Sequence, residues 1–229
     1  NVLEKAGNND TFIYIILNNI IKYLGNAAAE NWCRKTLEKN PDSISVNLIM
    51  YEMTNMKKQY NQAITYIDKC IELVNPNGNL YLDYLLKKSN TLIAAHVNTN
   101  DKTYFNRAIE NFEKILEIQP KNTTVLNNLA FLLAEDGQIE LALEYGKRAC
   151  EAQPNNANNM DTYAFALIKS EQYEEALKTL QKAIQILEDK QEQDIATLWQ
   201  AYEHLGMAKE GLGDINGAVQ AYKKAISVG

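Results

Sequence analysis

The sequence predicts an all-α chain, a solenoid of about six antiparallel helix hairpins, and three observations carry that expectation. First, Ala29, Ala63, Ala108, Ala142, Ala176 and Ala218 recur at spacings of 34, 45, 34, 34 and 42 residues, so that the two longer intervals read as the 34-residue period plus an insertion. Second, the residues around each alanine repeat with a helical period. Third, Pro41, Pro120 and Pro154 stand twelve residues after an alanine, and Pro76 thirteen. Proline cannot continue a helix, so each one closes a hairpin and opens the next.

The second helix of each hairpin follows from positions −3, 0, +4 and +7 about the alanine, which share one helix face. Position −3 holds Asn26, Tyr60, Phe105, Ile139, Tyr173 and Ile215. Position +4 holds Cys33, Ile67, Phe112, Gly146, Leu180 and Tyr222, and position +7 holds Thr36, Cys70, Ile115, Ala149, Ala183 and Ala225. The first helix is marked by pairs thirteen and twelve residues earlier: Ile16-Leu17, Met50-Tyr51, Ala95-His96, Leu129-Ala130, Tyr163-Ala164 and Leu205-Gly206. The small second member in the last three pairs lets the two helices of a hairpin approach closely. The hairpins are expected at about 10–41, 44–76, 79–120, 123–154, 157–188 and 194–229, as one array over 1–229. Residues 1–9 read as the tail of a preceding repeat, and both ends read as cut. The first insertion predicts a long first helix from Leu80 to about Val97 and a loop at 98–102. The second, Glu188 to Gln193, is charged and lacks proline, and is expected to lengthen the helices beside it.

Residues 194–229 carry the pattern most fully, in Tyr202, Leu205-Gly206, Gly213, Ile215, Ala218, Tyr222 and Ala225. They resemble the tetratricopeptide repeat, whose period is about 34 residues. The resemblance extends over essentially the whole chain and implies a right-handed superhelix that binds proteins. The segment Asn127 to Ala134, followed by Asp161-Thr162-Tyr163-Ala164, looks like bacterial members of the family. The family's carboxylate clamp uses groove Lys, Arg and Asn. Here the corresponding places hold Glu52, Phe131, Phe165 and Glu203, which departs from that mode.

Composition excludes several function classes. The net charge is −6, and no cluster of Lys and Arg is present that would neutralise phosphates, so nucleic acid is not an expected partner. Cys33, Cys70 and Cys150 are odd in number and widely spaced, without metal-ligand spacing. The most apolar run, Phe12 to Leu17, is far shorter than the roughly 20 residues of a membrane span. His96 and His204 have no ligand or carboxylate at helical spacing and read as structural or surface residues. Glu174-Glu175 lies on a solvated face. No phosphate loop or nucleophile motif is found. The chain is therefore expected to be no enzyme and to need no metal or cofactor. No leader is visible, and the sequence does not begin with Met, so cytoplasm and periplasm stay open.

The first helices of stacked hairpins line a concave face. Residues between their core positions are expected to face it. These are Tyr14, Asn18 and Ile21; then Leu48, Glu52 and Asn55; then Asn127, Phe131 and Ala134; then Asp161, Phe165 and Ile168; and last Glu203, Met207 and Glu210. Asn127, Phe131, Asp161, Phe165, Ile168, Glu203, Met207 and Glu210 form the candidate partner groove. Large apolar residues between acids suit a protein or peptide bearing basic and large apolar residues. The alternatives are a self-associating scaffold joined through open array ends, and the targeting arm of a larger enzyme or envelope-assembly protein. Register makes a direct prediction. Ala176→Leu is expected to destabilise the fold by about 1–3 kcal/mol through overpacking, whereas Glu174→Ala stays within about 0.5 kcal/mol. Equal shifts of the two variants in urea titrations would refute the register.

Overall fold

All six reference alanines are buried, five of them completely and Ala218 at 3% exposure. The computed structural model describes residue 19 and residues 25–76, 78–189 and 194–228. The expectations for residues 1–9, for the opening first helix with Tyr14, Asn18 and Ile21, and for residues 190–193 lie outside them. Among the described residues there are eleven helices and no strand. They are α1 (Asn26–Lys39), α2 (Ile44–Met56), α3 (Tyr60–Leu73), α4 (Asn79–Thr99), α5 (Lys102–Ile118), α6 (Thr123–Glu135), α7 (Ile139–Ala152), α8 (Ala157–Lys169), α9 (Tyr173–Glu188), α10 (Ile195–Gly211) and α11 (Ile215–Val228).

The chain divides into two compact units, residues 1–115 and 116–229. In the first, α1 packs on α2, α2 on α3 and α3 on α4. Leu92 of α4 meets Ala108 of α5 in a shared apolar cluster. The Asn111 side-chain amide reaches across the same contact, donating to the Leu85 carbonyl at 2.6 Å and to Ser89 Oγ at 2.8 Å. In the second unit, α6 to α11 pack each on the next, and the first helices α6, α8 and α10 also touch in that order. Its core includes Ala164, Leu167, Ala176, Leu180, Ala183, Leu198, Ala201 and Ala208.

Helix starts and hairpin turns explain how residues far apart in sequence repeat the same geometry. After Pro120 and Pro154, Asn122 and Asn156 each accept a backbone N–H three residues on, at 3.2 Å. Asp194 and Asp214 do the same for Thr197 and Gly217. These caps satisfy N–H groups that a helix start leaves without partners. Four first helices end in the same way. Lys58, Gly137, Glu171 and Gly213 adopt positive φ. The next residue then donates its N–H to a carbonyl five residues back: Gln59 to Thr54, Gln138 to Leu133, Gln172 to Leu167 and Asp214 to Lys209, at 2.8–2.9 Å. This is the left-handed helix stop with a six-to-one bond.

The first insertion is absorbed as helix rather than loop. α4 has 21 residues, whereas α2, α6 and α8 have 13 each. The expected loop at 98–102 shrinks to Asn100 and Asp101. Ala95 is fully buried, while His96 is half-buried against the Phe105 ring at 5.4 Å. The inserted turns thus place Ala95, and not His96, inside. α9 and α10 are lengthened to 16 and 17 residues.

Glu171 holds φ of 61°, a conformation that costs an L-residue roughly 1–2 kcal/mol. Glycine would remove that cost and add about 0.5–1 kcal/mol of unfolded-chain entropy. Glu171→Gly is therefore expected to raise the melting temperature by about 1–4 °C. A lowered melting temperature in calorimetry would show that the glutamate side chain contributes more than its backbone costs.

Candidate functional site

The first helices of the second unit carry the candidate site. An aromatic stack crosses α6, α8 and α10. The Phe131 and Phe165 rings lie 5.7 Å apart at 28°, and Phe165 and His204 lie 4.8 Å apart at 25°. Phe131, at the α6 end, is 37% exposed, whereas Phe165 and His204 are buried. Lys169 Nζ stands 4.9 Å from the Phe165 ring centre and 3.5 Å from Glu135 Oε1. A cation held over a ring face is attracted by the ring quadrupole.

Behind the stack lies a buried pair. Asp161 Oδ1 is 2.9 Å from His204 Nδ1, with both side chains almost fully enclosed. Burial pushes the Asp161 carboxyl above its usual range, and the His204 hydrogen bond pulls it partly back. The pair satisfies two polar groups that would each be costly alone. On α6, one turn before Phe131, Asn127 is also buried, and its Oδ1 has no hydrogen-bond partner among the described residues. Such atoms are rare in folded proteins.

The groove expected from the sequence is thus partly interior. Asp161, Phe165 and Ile168 were expected on an open wall, and all three are buried. The physical reason is that α8 has first helices on both sides, α6 and α10, and these cover its flank. Asp161 is consequently no free groove charge. Phe131 and Glu210 are exposed, Glu203 and Met207 half-exposed, and Asn127 buried beside Phe131. In the first unit Leu48, Glu52 and Asn55 are half-buried, with the Asn55 side-chain oxygen accepting from Thr91 Oγ1 at 3.3 Å.

Sequence reasoning missed three participants. His204 lies 43 residues from Asp161, beyond any local pattern. Lys169 is four residues after Phe165, a spacing that places a cation above the ring. Trp199, 40% exposed, stands four residues before Glu203; continuing the groove register one turn back along the first helix of the last hairpin would have found it.

Elsewhere the described residues hold no group of His, Cys, Asp and Glu able to bind a metal, and no helix long and apolar enough to cross a membrane. The three cysteines form no disulfide. Burial pushes the Cys33 thiol up to about 12 and Cys150 to about 11, so neither offers a thiolate nucleophile near neutrality.

Comparison with known proteins agrees with the helical-repeat fold. Two models of the tetratricopeptide repeat match, one over residues 111–144 and one over residues 200–228. No curated protein sequence matches the chain. Among solved structures, MamA (residues 41 to the end) from Desulfovibrio magneticus RS-1 is 18% identical with a TM-score of 0.62, covering 81% of this chain and 94% of that one. YrrB, described as a TPR protein with an unusual peptide-binding site, is 20% identical with a TM-score of 0.57, over 86% and 91%. The nearly identical TPR-like repeats of a Podosopora anserina protein described as a kinesin light chain are 14% identical with a TM-score of 0.64, over 82% and 95%. At these identities the likeness establishes the fold: an all-helical repeat solenoid.

The buried pair makes a pH prediction. A folded-state pKa raised above the unfolded value means that the native chain holds the Asp161 proton more tightly. The associated stability is complete below about pH 3.9 and is lost as pH rises through the folded value. Asp161→Asn removes this titration while keeping an acceptor for His204. The variant is expected to gain melting temperature relative to the native chain as pH rises from about 4. A gap that stays constant with pH would show that Asp161 does not titrate differently in the two states.

Proposed function

We propose that this tetratricopeptide-repeat chain is a protein-interaction scaffold that receives a partner segment against α6, α8 and α10. The observation that carries the reading is the outer end of the aromatic stack. Phe131 leaves more than a third of its surface in water while its inner face rests on Phe165. Asn127 Oδ1, one turn earlier on the same helix, lacks a donor among the described residues. A large ring held in place by packing is a low-entropy anchor, because its conformation is already ordered before binding. Glu203 and Glu210 add negative charge on α10, which favours a partner with basic and large apolar residues. Nothing on this wall combines a nucleophile, a base and an oxyanion pocket, so no catalytic role is proposed.

A second reading is self-association through the exposed apolar face of α11. Ile215, Val219 and Ile226 on α11 are all largely exposed. The matching positions of α9, Leu177 and Ile184 for Val219 and Ile226, are half-buried and buried in a helix that has α10 packed against it. Light scattering over a range of concentrations separates the two readings.

Photo-crosslinking tests the first. A benzophenone side chain replacing Phe131 is expected to capture the partner, and one replacing exposed Glu174 is not. Phe131→Ser should lose the partner and keep its helical circular dichroism, at a stability cost of about 1–2 kcal/mol for the part of the ring packed on Phe165. Capture from Glu174 alone, or a partner retained by Phe131→Ser, would overturn the assignment.

A further inference from the structure

Ile195, Trp199, Glu203, Met207 and Glu210 follow one another on α10 at intervals of four, four, four and three residues, which keeps them along one stripe of the helix. Ile195 and Trp199 are respectively 54% and 40% exposed. Glu203 and Met207 are half-exposed and Glu210 is exposed. Glu203 has no ion-pair partner among the described residues, and Glu210 uses one carboxylate oxygen to accept the Tyr222 hydroxyl at 3.0 Å. Along the axis the order is apolar, apolar, acidic, apolar, acidic. Groups four residues apart on a helix are separated by about 6 Å. Same-side residues of an extended chain are separated by about 6.6 Å. The two ladders stay within about 2 Å of each other over the first three intervals, and at the shorter fourth interval the flexible Glu210 and Lys side chains span the remaining offset of about 4 Å.

We propose that the stripe seats an extended partner segment in which every second residue reads apolar, apolar, basic, apolar, basic. This rests on the scaffold reading and gives its partner a chemistry. Each carboxylate then meets a Lys or Arg whose charge it matches, and the chain's net charge of −6 draws such a segment in. Trp199 supplies the anchor. It is large and rigid, and an apolar side chain laid on its exposed face expels water from both. Acidic segments meet Glu203 and Glu210 with like charge and are rejected.

The test uses the nonapeptide Leu-Ser-Leu-Ser-Lys-Ser-Leu-Ser-Lys. It is titrated into the Trp32→Phe variant, where Trp199 is the one remaining tryptophan of the chain's two. The expected result is a saturable blue shift of Trp199 emission, with affinity at least tenfold weaker for the peptide carrying Glu in place of Lys. The Glu203→Gln, Glu210→Gln double variant, with unchanged circular dichroism and melting temperature, is expected to lose that discrimination. Equal affinity for the two peptides overturns the proposal. So does the absence of saturable binding at millimolar peptide, or calorimetric binding that leaves Trp199 emission unmoved. A gain of peptide helicity on binding overturns the extended geometry. If the peptide fails while the benzophenone at position 131 still captures the partner, this inference falls and the scaffold reading stands. If the peptide behaves as expected while Phe131→Ser retains the partner, the α10 stripe stands and the Phe131 wall falls.

Discussion

Everything in this chain depends on how closely the two helices of each hairpin approach at one alanine. Ala29, Ala63, Ala108, Ala142, Ala176 and Ala218 are buried without exception. A methyl group there leaves room for larger residues one turn away, such as Ile67, Phe112 and Leu180, to interdigitate with the facing helix. Glycine takes the approach further where a ring lies opposite. A Cβ on Gly146 would sit 3.2 Å from Tyr163 Cα, and one on Gly206 would fall on the Tyr222 ring. Overpacking at such contacts moves backbone, which explains why small residues recur there at a fixed period.

Close packing of helices forces the polar groups at helix ends to be satisfied locally. Asparagine does much of this. Asn122 and Asn156 cap helix starts, while Asn47 and Asn159 bond carbonyls of the preceding connection or helix. Asn111 ties α5 to α4 from within the core. The abundance of asparagine therefore has structural uses at these places. Asn127 is the exception: it is buried, and its oxygen finds no donor among the described residues. An unsatisfied acceptor next to an exposed ring is the sort of local inconsistency that binding can resolve.

The aromatic stack shows core and surface made from one set of side chains. Phe165 is interior, pressed between Phe131 and His204. Its burial fixes where Phe131 stands, and the Asp161–His204 bond fixes where the far ring stands. Stability inside the second unit thus sets the position of the one large ring that reaches solvent on α6. The acidic and apolar stripe of α10 lies on the 17-residue helix that also carries His204, the far end of the stack.

The sequence alone determined the helical hairpin, its alanine register, the proline boundaries and the lack of catalytic motifs, because helix packing recurs at fixed offsets and each repeat restates it. It also marked α6, α8 and α10 as the first helices of neighbouring hairpins, whose shared wall is the proposed partner surface. What it left open was which residues of that wall meet water. Asp161, Phe165 and Ile168 share a helical register with Phe131, Glu203 and Met207, yet they are interior, because α8 is flanked on both sides by first helices. The pairing of Asp161 with His204 and the stacking of three rings join residues 34 to 43 positions apart. Local periodicity cannot choose among such partners. Only the tertiary structure decided them, since it sets the distance between neighbouring first helices and so which side chains fill the space between them.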